Sequence, residues 1–177
     1  TTSPAADVSD CYGYSLLSQS EKVVYNQLLA GFDKMASEIS ITPVPIATLK
    51  KVYSYVIGDN PRLFWVDISG YTYYYYNGQA NRVVQPYLIA ASQKDALVAA
   101  VDAAAAQILS QISSGMSDYD KAIVLHDSLV NAVTYSDTGG MSHNLYGALV
   151  EHKAVCDGYA RAYQYLCKKA GIFALLA

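Results

Sequence analysis

The chain has 177 residues, of which 53% are hydrophobic and 15% are charged, and its formal net charge is -3 at pH 7. This length supports one domain with a sizeable core, and the composition excludes intrinsic disorder and collagen-like or linker-type sequence. The small negative charge predicts no nucleic-acid partner, and no apolar run approaches the roughly 20 residues that a membrane span requires.

The first ten residues, TTSPAADVSD, are small and mostly polar. They lack the basic and apolar regions of a signal peptide. We expect residues 1–17 to be a linker-like N-terminus, of the kind that follows a signal peptide or joins a surface anchor to a domain. Export is therefore a hypothesis.

Three helix starts come next along the chain. Ser18 and Glu21 predict a capping box, Pro45 stands at a first helical position, and Ser92 with Asp95 opens a third helix. After each of these helix starts, apolar residues recur at helical spacing. They are Val24, Leu28, Phe32, Met35 and Ile39 in the first helix; Ile46, Leu49, Val52, Tyr53 and Val56 in the second, which ends at Gly58; and Leu97, Val101, Ala105, Ile108 and Ile112 in the third, which ends near Gly115.

The segment between the second and third helices predicts a small antiparallel sheet. Its runs cover residues 63–67, 71–76 and 82–87, and turn residues separate them. The Asn77-Gly78 pair between the last two runs is a strong hairpin signal.

This hairpin is rich in tyrosine, which accounts for 17 residues of the chain. Strand alternation places Tyr73 and Tyr75 on one face and Tyr74 and Tyr76 on the other. A tyrosine combines a large apolar ring with a hydroxyl group that needs a partner or water. The hairpin is therefore expected either to be ordinary sheet packing with an exposed polar rim or to form a binding face for peptide or sugar.

The second half of the sequence is predicted to be mostly helical. Ser117 with Asp120 caps one helix, a short helical piece covers residues 144–151, and a further helix runs from Cys156 to about Ala170. Residues Ile172-Leu176 predict a strand. An unpaired strand edge is unfavourable, so we expect it to pair with the sheet near residues 63–87 or with another chain.

The three cysteines, Cys11, Cys156 and Cys167, do not suggest a disulfide scaffold. On one helix, Cys156 and Cys167 lie about 16 Å apart, which is too far for a disulfide. Because the chain has no CxxC pair, the sequence predicts no structural zinc site, and no cofactor motif occurs. Cys156 stands where a loop becomes a helix, so the first-turn amides and the helix dipole favour its thiolate. A buried, inert thiol is the alternative.

Three segments resemble the bacterial transglutaminase-like superfamily. They are DYDKAIVLHDSLVNAVTY at 118–135, HNLYGALVEHKAVCDGYA at 143–160 and AYQYLCKKAGI at 162–172. The likeness is strong over residues 118–172 and fainter upstream. The upstream helices and Tyr-rich hairpin look like the extension that precedes the core in surface proteins of Gram-positive bacteria.

The resemblance implies a papain-like arrangement with Cys156 as the nucleophile at a helix N-terminus. In the family a His and then an Asp follow on adjoining strands. The Cys attacks a carboxamide or peptide carbonyl, the His moves the proton and the Asp orients the His, and the acyl group then passes to an amine or to water. This sequence has no His after Cys156. The family's His and Asp therefore have no matching positions, and the chain is expected to be a truncated, inactive fragment of the core.

Three histidines precede Cys156. His126 is expected at the core or surface edge of a helix, His143 is expected to cap a helix or anchor a loop, and His152 stands four residues before the cysteine. None is identified as a general base by its position in the sequence. Asp157 is expected to interact with the helix dipole rather than to orient a histidine.

The sequence thus predicts an α+β fold, with residues 18–115 as an N-terminal extension and 116–177 as the start of a transglutaminase-like core, together forming one compact unit. The parent protein is predicted to be secreted or anchored at the surface of a Gram-positive-type bacterium. It is expected to act on a peptide or protein substrate, or on a cell-wall component, without a metal or cofactor, whereas this chain by itself is expected to be inactive. The alternative is a non-catalytic module that recognises peptide or cell-wall glycan through its Tyr-rich surface.

Overall fold

The computed structural model of the protein describes residues 11–137 and 139–176. Its helices and its three-stranded antiparallel sheet confirm the predicted α+β class. The chain divides into two compact units, residues 1–87 and 88–177. The expected start of a transglutaminase-like core at residue 116 stays a prediction, and the polar stretch 1–10 lies outside the described residues.

The described part of the first unit, residues 11–87, forms three helices and three strands. The predicted capping box is present, since the Ser18 hydroxyl accepts a hydrogen bond from the Glu21 amide and the Glu21 carboxylate accepts one from the Ser18 amide. The elements are α1 (Tyr12–Ser15), α2 (Gln19–Asp33), β1 (Glu38–Pro45), α3 (Ile46–Asp59), β2 (Thr72–Tyr76) and β3 (Gln79–Val84).

The strands form an antiparallel sheet in the order β1-β3-β2. The predicted hairpin is confirmed. Asn77 and Gly78 connect its strands with φ angles of 48° and 76°, the left-handed values that a tight hairpin turn between right-twisted strands requires.

Strand β1 was not predicted, because the sequence analysis assigned Ile39 to a helix. Ile39 was expected to extend the apolar stripe of the first helix, but the helix ends at Asp33 and Met35 has a φ of 52°. A left-handed residue ends α-helical geometry. Beyond it, Ile39 and Ile41 alternate with exposed residues, as in a half-buried strand.

The run at residues 63–67 was predicted to be a strand, and this prediction is wrong. Leu63, Phe64, Trp65 and Val66 are all buried, but they lie in turns, and only Val66 forms an isolated bridge, with Tyr87. An apolar run indicates that its side chains are buried, and buried side chains occur in turns as well as in strands. β1 supplies the third strand of the sheet instead.

The second unit is mainly helical. The third helix that the sequence predicted along the chain is the first α-helix of this unit. It begins at Lys94, after a 3₁₀ turn, and ends at Leu109 rather than near Gly115. The Ser117 hydroxyl caps the next helix at the Asp120 amide, as predicted. The elements are α4 (Lys94–Leu109), α5 (Asp118–Ala132), β4 (Thr134–Tyr135), a 3₁₀ turn (Gly140–His143), a π-helical turn (Gly147–Glu151), β5 (Lys153–Ala154) and α6 (Cys156–Lys169).

The end of the described chain also differs from expectation. Residues 172–176 form no strand and pair with no ladder, and Phe173 is 70% exposed. Gly171 has a φ of 77° and the Ile172 amide donates to the Cys167 carbonyl, which closes the C-terminus of α6. The cap ends the helix, and the residues after it are irregular. Pairing with another chain stays a prediction.

Within the described residues, none of the helices combines the length and the apolar character that crossing a bilayer demands.

Candidate functional site

The candidate nucleophile lies where the sequence predicted it. Cys156 is the first residue of α6, is exposed and forms no disulfide. Val155 precedes it in extended conformation and contributes no capping side chain. The first-turn amides of α6 therefore point out of the helix end at which Cys156 stands, where negative charge is favoured.

The other two cysteines differ from Cys156. Cys11 and Cys167 are both buried. Burial raises the pKa of the Cys167 thiol, with an opposing contribution from the Tyr163 hydroxyl. Because the thiolate is the reactive form, Cys156 is the exposed thiol available for chemistry among the described cysteines.

The loop before the π-helical turn packs against the start of α6. The Val155 amide donates a hydrogen bond to the Ser142 carbonyl at 3.0 Å. At Gly158, a Cβ atom would lie 2.5 Å from the Ser142 carbonyl oxygen and 3.1 Å from that of Asn144. Glycine at position 158 is therefore required by the close approach of the two backbones.

His143 stands between two carboxylates at this junction. Its Nδ1 atom lies 4.0 Å from Asp157 Oδ2 and its Nε2 atom lies 3.6 Å from Asp137 Oδ1. These separations are ion-pair distances rather than direct hydrogen bonds. All three side chains are exposed, so solvent moderates their interaction.

Asp137 is held in place by the same loop. Its carboxylate accepts a hydrogen bond from the Gly139 amide at 3.0 Å and another from the Ser142 hydroxyl at 3.1 Å. The Gly139 amide, then the Ser142 hydroxyl and the charge of His143, lower the pKa of Asp137 below its usual value. A carboxylate fixed in this way stays charged over a wide pH range.

Further along α6, Arg161 and Tyr159 complete the surroundings. Burial lowers the pKa of Arg161, and the charge of Asp157, one turn earlier, opposes that shift. The Tyr159 ring stacks on Tyr135 with centroids 6.2 Å apart, and its hydroxyl donates to the Val133 carbonyl. The first two turns of α6 thus carry the Cys156 thiol, the charged residues Asp157 and Arg161, and the Tyr159 ring.

The other two histidines lie elsewhere. His126 is exposed on α5, with Nδ1 2.9 Å from Asp127 Oδ1. This agrees with its expected position at a helix edge. His152 has a φ of 56° and lines a cavity of about 850 Å³ together with residues of α4 and α5, such as Gln107 and Asn131.

The pairing of His143 with Asp157 was missed by sequence reasoning, which treated His143 as a cap or anchor and Asp157 as a dipole partner. The residues are 14 positions apart, and their contact depends on how the intervening loop folds. No periodicity relates them. In the described part of the chain, no three His, Cys, Asp or Glu side chains are grouped as a metal ion would require.

The Tyr-rich hairpin forms a second exposed feature, in the first unit. The rings of Tyr71, Tyr73 and Tyr75 follow one another at centroid distances of 6.3 and 6.2 Å. On the other face, the Arg82 guanidinium lies 3.9 Å from the centroid of Tyr74. The predicted alternation of the tyrosines is therefore observed.

No family model matches this chain, and no curated protein is significantly similar to it. The resemblance to the transglutaminase-like superfamily accordingly stands on the motifs in the sequence.

Proposed function

We propose that this chain carries the nucleophile-bearing part of a transglutaminase-like cysteine acyltransferase or peptidase, with Cys156 as the nucleophile. The observation that carries the proposal is the exposed Cys156 thiol on the first residue of the 14-residue helix α6. Its supports are the close packing of the preceding loop at Gly158 and the motif around the cysteine. An extracellular or surface-anchored location belongs to the same proposal and rests on the resemblance and the linker-like residues 1–10.

In the proposed reaction, the Cys156 thiolate attacks the carbonyl carbon of a carboxamide or peptide. The sulfur–carbon bond forms, the carbon–nitrogen bond breaks, and the leaving amine takes up a proton. The thioester then passes its acyl group to an amine or to water. The Cys156 backbone amide, at the positive end of the helix dipole, is suited to stabilise the oxyanion.

None of the matched positions corresponds to the family's catalytic His and Asp, the pair through which the family delivers that proton. An amide needs its leaving nitrogen protonated, whereas an activated ester such as a p-nitrophenyl ester does not. We therefore expect this chain to be acylated by activated esters at Cys156 and to turn over glutamine or peptide amides poorly.

The test is mass-resolved labelling of the whole chain with iodoacetamide and with p-nitrophenyl acetate. Cys156 should react faster than the same cysteine in the urea-unfolded chain, and Cys167 should react more slowly. Cys156→Ser should remove the thioester, while Cys167→Ala, the matched control, should leave it. A folded-state rate at Cys156 no higher than the unfolded-state rate contradicts the proposal.

A second candidate function is a binding module, which the row of Tyr71, Tyr73 and Tyr75 rings favours. Tyrosines offer large, rigid contact surfaces with little loss of side-chain entropy. Replacing Tyr73 and Tyr75 with Ser should abolish binding to amino-sugar oligomers or peptides in calorimetry. Replacing Tyr76, on the other face, should not. Absence of binding by the unchanged chain removes this candidate.

A further inference from the structure

We infer that the outer edge of β2 is an interface at which two copies of this chain pair through a symmetric, antiparallel strand contact. The strand order β1-β3-β2 places β2 at one edge of the sheet. Within residues 11–137 and 139–176, β3 is the one strand that pairs with it. An edge strand presents backbone N–H and C=O groups to which a further strand can bind. This interface lies in the first unit and is independent of the chemistry of Cys156.

The two edges of the sheet differ in how they are protected. At the opposite edge, β1 contains Pro43 and Pro45, which have no backbone N–H. The Gln27 side chain also accepts a hydrogen bond from the Thr42 amide at 2.8 Å. Prolines and covering side chains are devices that prevent edge-to-edge pairing. The sequence of β2 is TYYYY, which has no proline, glycine or charge, so this edge lacks such protection.

The backbone of β2 is regular enough to accept another strand. Tyr74 pairs with Arg82, and the next residue of β2 pairs with Ala80. The extra residue of this bulge, Asn81, therefore belongs to the interior strand β3 and not to β2. A bulge in an edge strand bends the strand and interrupts pairing. The outer edge of β2 is thus continuous over its five residues.

The strand is complementary to itself. When two copies of β2 run antiparallel with Tyr74 opposite Tyr74, all five residues are matched, and any other register matches fewer. Tyr73 of each copy then lies opposite Tyr75 of the other, which makes aromatic cross-strand pairs.

Charge does not oppose this pairing. Like charges directly opposite each other destabilise a strand pair, and β2 carries none. Arg82, which lies over the Tyr74 ring, forms a salt bridge with Glu38 at 2.8 Å. The two copies therefore meet without an uncompensated positive charge from Arg82 on either side.

The exposed surface of β2 suits a weak, reversible dimer. Tyr74, Tyr75 and Tyr76 are 50%, 63% and 74% exposed. Because a fully buried tyrosine covers about 150–250 Å², these rings can bury roughly 400 Å² per copy. A standard interface buries about 800 Å² per partner, so we expect a dissociation constant on the order of 100 μM.

Sedimentation velocity of the full chain tests the interface. Between about 5 μM and about 500 μM, the weight-average mass should rise from that of a monomer towards that of a dimer. Tyr74→Lys should weaken association at least about tenfold, because two lysines would then face each other. Tyr119→Lys is the matched control, since it makes the same change at a 74% exposed position on α5, and it should associate like the unchanged chain.

A charge exchange separates lost pairing from lost folding. Tyr74→Glu should also weaken association between identical copies. An equimolar mixture of Tyr74→Lys and Tyr74→Glu should associate more strongly than either variant alone, because opposite charges then face each other. If both variants are folded by circular dichroism and the mixture shows no recovery, the inference is overturned.

Disulfide formation measures the register. In a Cys156→Ser background, which removes the exposed native thiol, Tyr74→Cys should give a disulfide-linked dimer faster than Tyr76→Cys under mild oxidation. In the expected register the two Cα atoms at position 74 lie about 4.5–5.5 Å apart. The two at position 76 lie about 14 Å apart, beyond the ~7 Å limit for a disulfide. Linkage at position 76 that is as fast as at position 74 contradicts the proposed pairing.

Two further outcomes would also overturn the inference. A chain that stays monomeric at every concentration has no self-pairing edge, and an extended segment of a different protein is then the occupant to test. Association that is equally strong in Tyr74→Lys and Tyr119→Lys places the dimer contact on another surface.

Discussion

The Val155 amide donates a hydrogen bond to the Ser142 carbonyl at 3.0 Å, so the residue before the candidate nucleophile is attached to the loop that bears His143. This bond and the contact at Gly158 hold two segments together that are more than ten residues apart in the chain. The position of Cys156 relative to that loop therefore depends on backbone packing rather than on long side chains.

Gly158→Ala tests this packing. Its Cβ would lie 2.5 Å from the Ser142 carbonyl oxygen and 2.8 Å from Ala154 Cβ, so the loop or the helix must move. We expect the free energy of unfolding of the second unit to fall by about 1–3 kcal/mol, as measured by urea denaturation. Gly115→Ala is the control, because nothing lies within 4 Å there, and it should change stability by less than about 0.5 kcal/mol. Equal stability of the two variants would contradict the packing at α6.

Asp59 is a buried carboxylate that secures the N-terminal helix of the described chain. It accepts hydrogen bonds from the Gly13 and Tyr14 amides, both at 2.9 Å, and from the Tyr25 hydroxyl at 3.1 Å. Asp59→Asn replaces one acceptor oxygen with a donor that faces these N–H groups. We expect a loss of about 2–3 kcal/mol in the free energy of unfolding of the first unit.

The labelling rate of the buried Cys11 measures whether α1 stays attached to Asp59. In Asp59→Asn, a thiol reagent should label Cys11 at least tenfold faster than in the unchanged chain, because α1 detaches. Asp33→Asn, at an exposed position on α2, is the control and should leave the labelling rate unchanged. Protection of Cys11 in both variants would show that α1 does not depend on Asp59.

The ionisation of Glu21 makes the free energy of unfolding depend on pH in the acid range. Its salt bridge with Lys51, together with hydrogen bonds from Ser18, lowers the pKa of Glu21 to about 2. A depressed carboxyl pKa stabilises the folded state above the unfolded pKa, and this contribution is lost as pH falls through the folded value. Glu21→Gln should therefore cost about 0.5–1 kcal/mol at pH 7, and the difference should disappear between pH 4.5 and pH 2.

Urea denaturation at several pH values measures this effect. Lys51→Met should remove most of the same pH-dependent difference, because it removes the main partner of the carboxylate. A Glu21→Gln penalty that is as large at pH 2 as at pH 7 would assign the effect to the helix cap alone.

The ionisation of Tyr87 makes the free energy of unfolding depend on pH in the alkaline range. Burial raises the pKa of Tyr87 to about 12, and its hydroxyl donates to the Ala36 carbonyl at 2.8 Å. An acid whose pKa rises on folding stabilises the folded state below the unfolded pKa, and the contribution is lost as pH increases through the folded value. The first unit should thus lose stability between pH 10 and 12, by less than about 1.4 kcal/mol per pH unit for this residue.

Tyr87→Phe should reduce that slope, although it also costs about 1 kcal/mol at neutral pH through the lost hydrogen bond. Tyr76→Phe, at a position that is 74% exposed, is the control and should leave the slope unaltered. Denaturation followed by fluorescence at pH 9–12 gives both slopes. Identical slopes for Tyr87→Phe and the unchanged chain would exclude Tyr87 as a source of the alkaline instability.

The features that the sequence predicted correctly depend on residues close together in the chain. The capping box of Ser18 and Glu21 and the cap at Ser117 join residues three positions apart, and the Asn77-Gly78 turn consists of two adjacent residues. Each is set by hydrogen bonds or φ preferences that operate within one turn. The start of α6 at Cys156 belongs to the same group.

The errors arose where one pattern fits two structures. Ile39 continues a helical stripe and also begins a strand alternation, and the left-handed Met35 decides between them. The apolar run at 63–67 is mostly buried without being a strand, and the run at 172–176 is intermediate or exposed and joins no strand ladder. Apolar content indicates burial, whereas strand formation also needs a partner for the backbone.

The sequence by itself determined the α+β class, the helix caps at Ser18 and Ser117, the hairpin turn and the helix-terminal position of Cys156, because local backbone preferences and side-chain caps specify them. Only the tertiary structure decided that β1 completes the sheet and that His143 lies between Asp137 and Asp157. These relationships join residues whose separation along the chain carries no periodic signal. They form when loop closure and core packing bring distant segments together, and the free energy of that process belongs to the whole unit rather than to any short window of sequence.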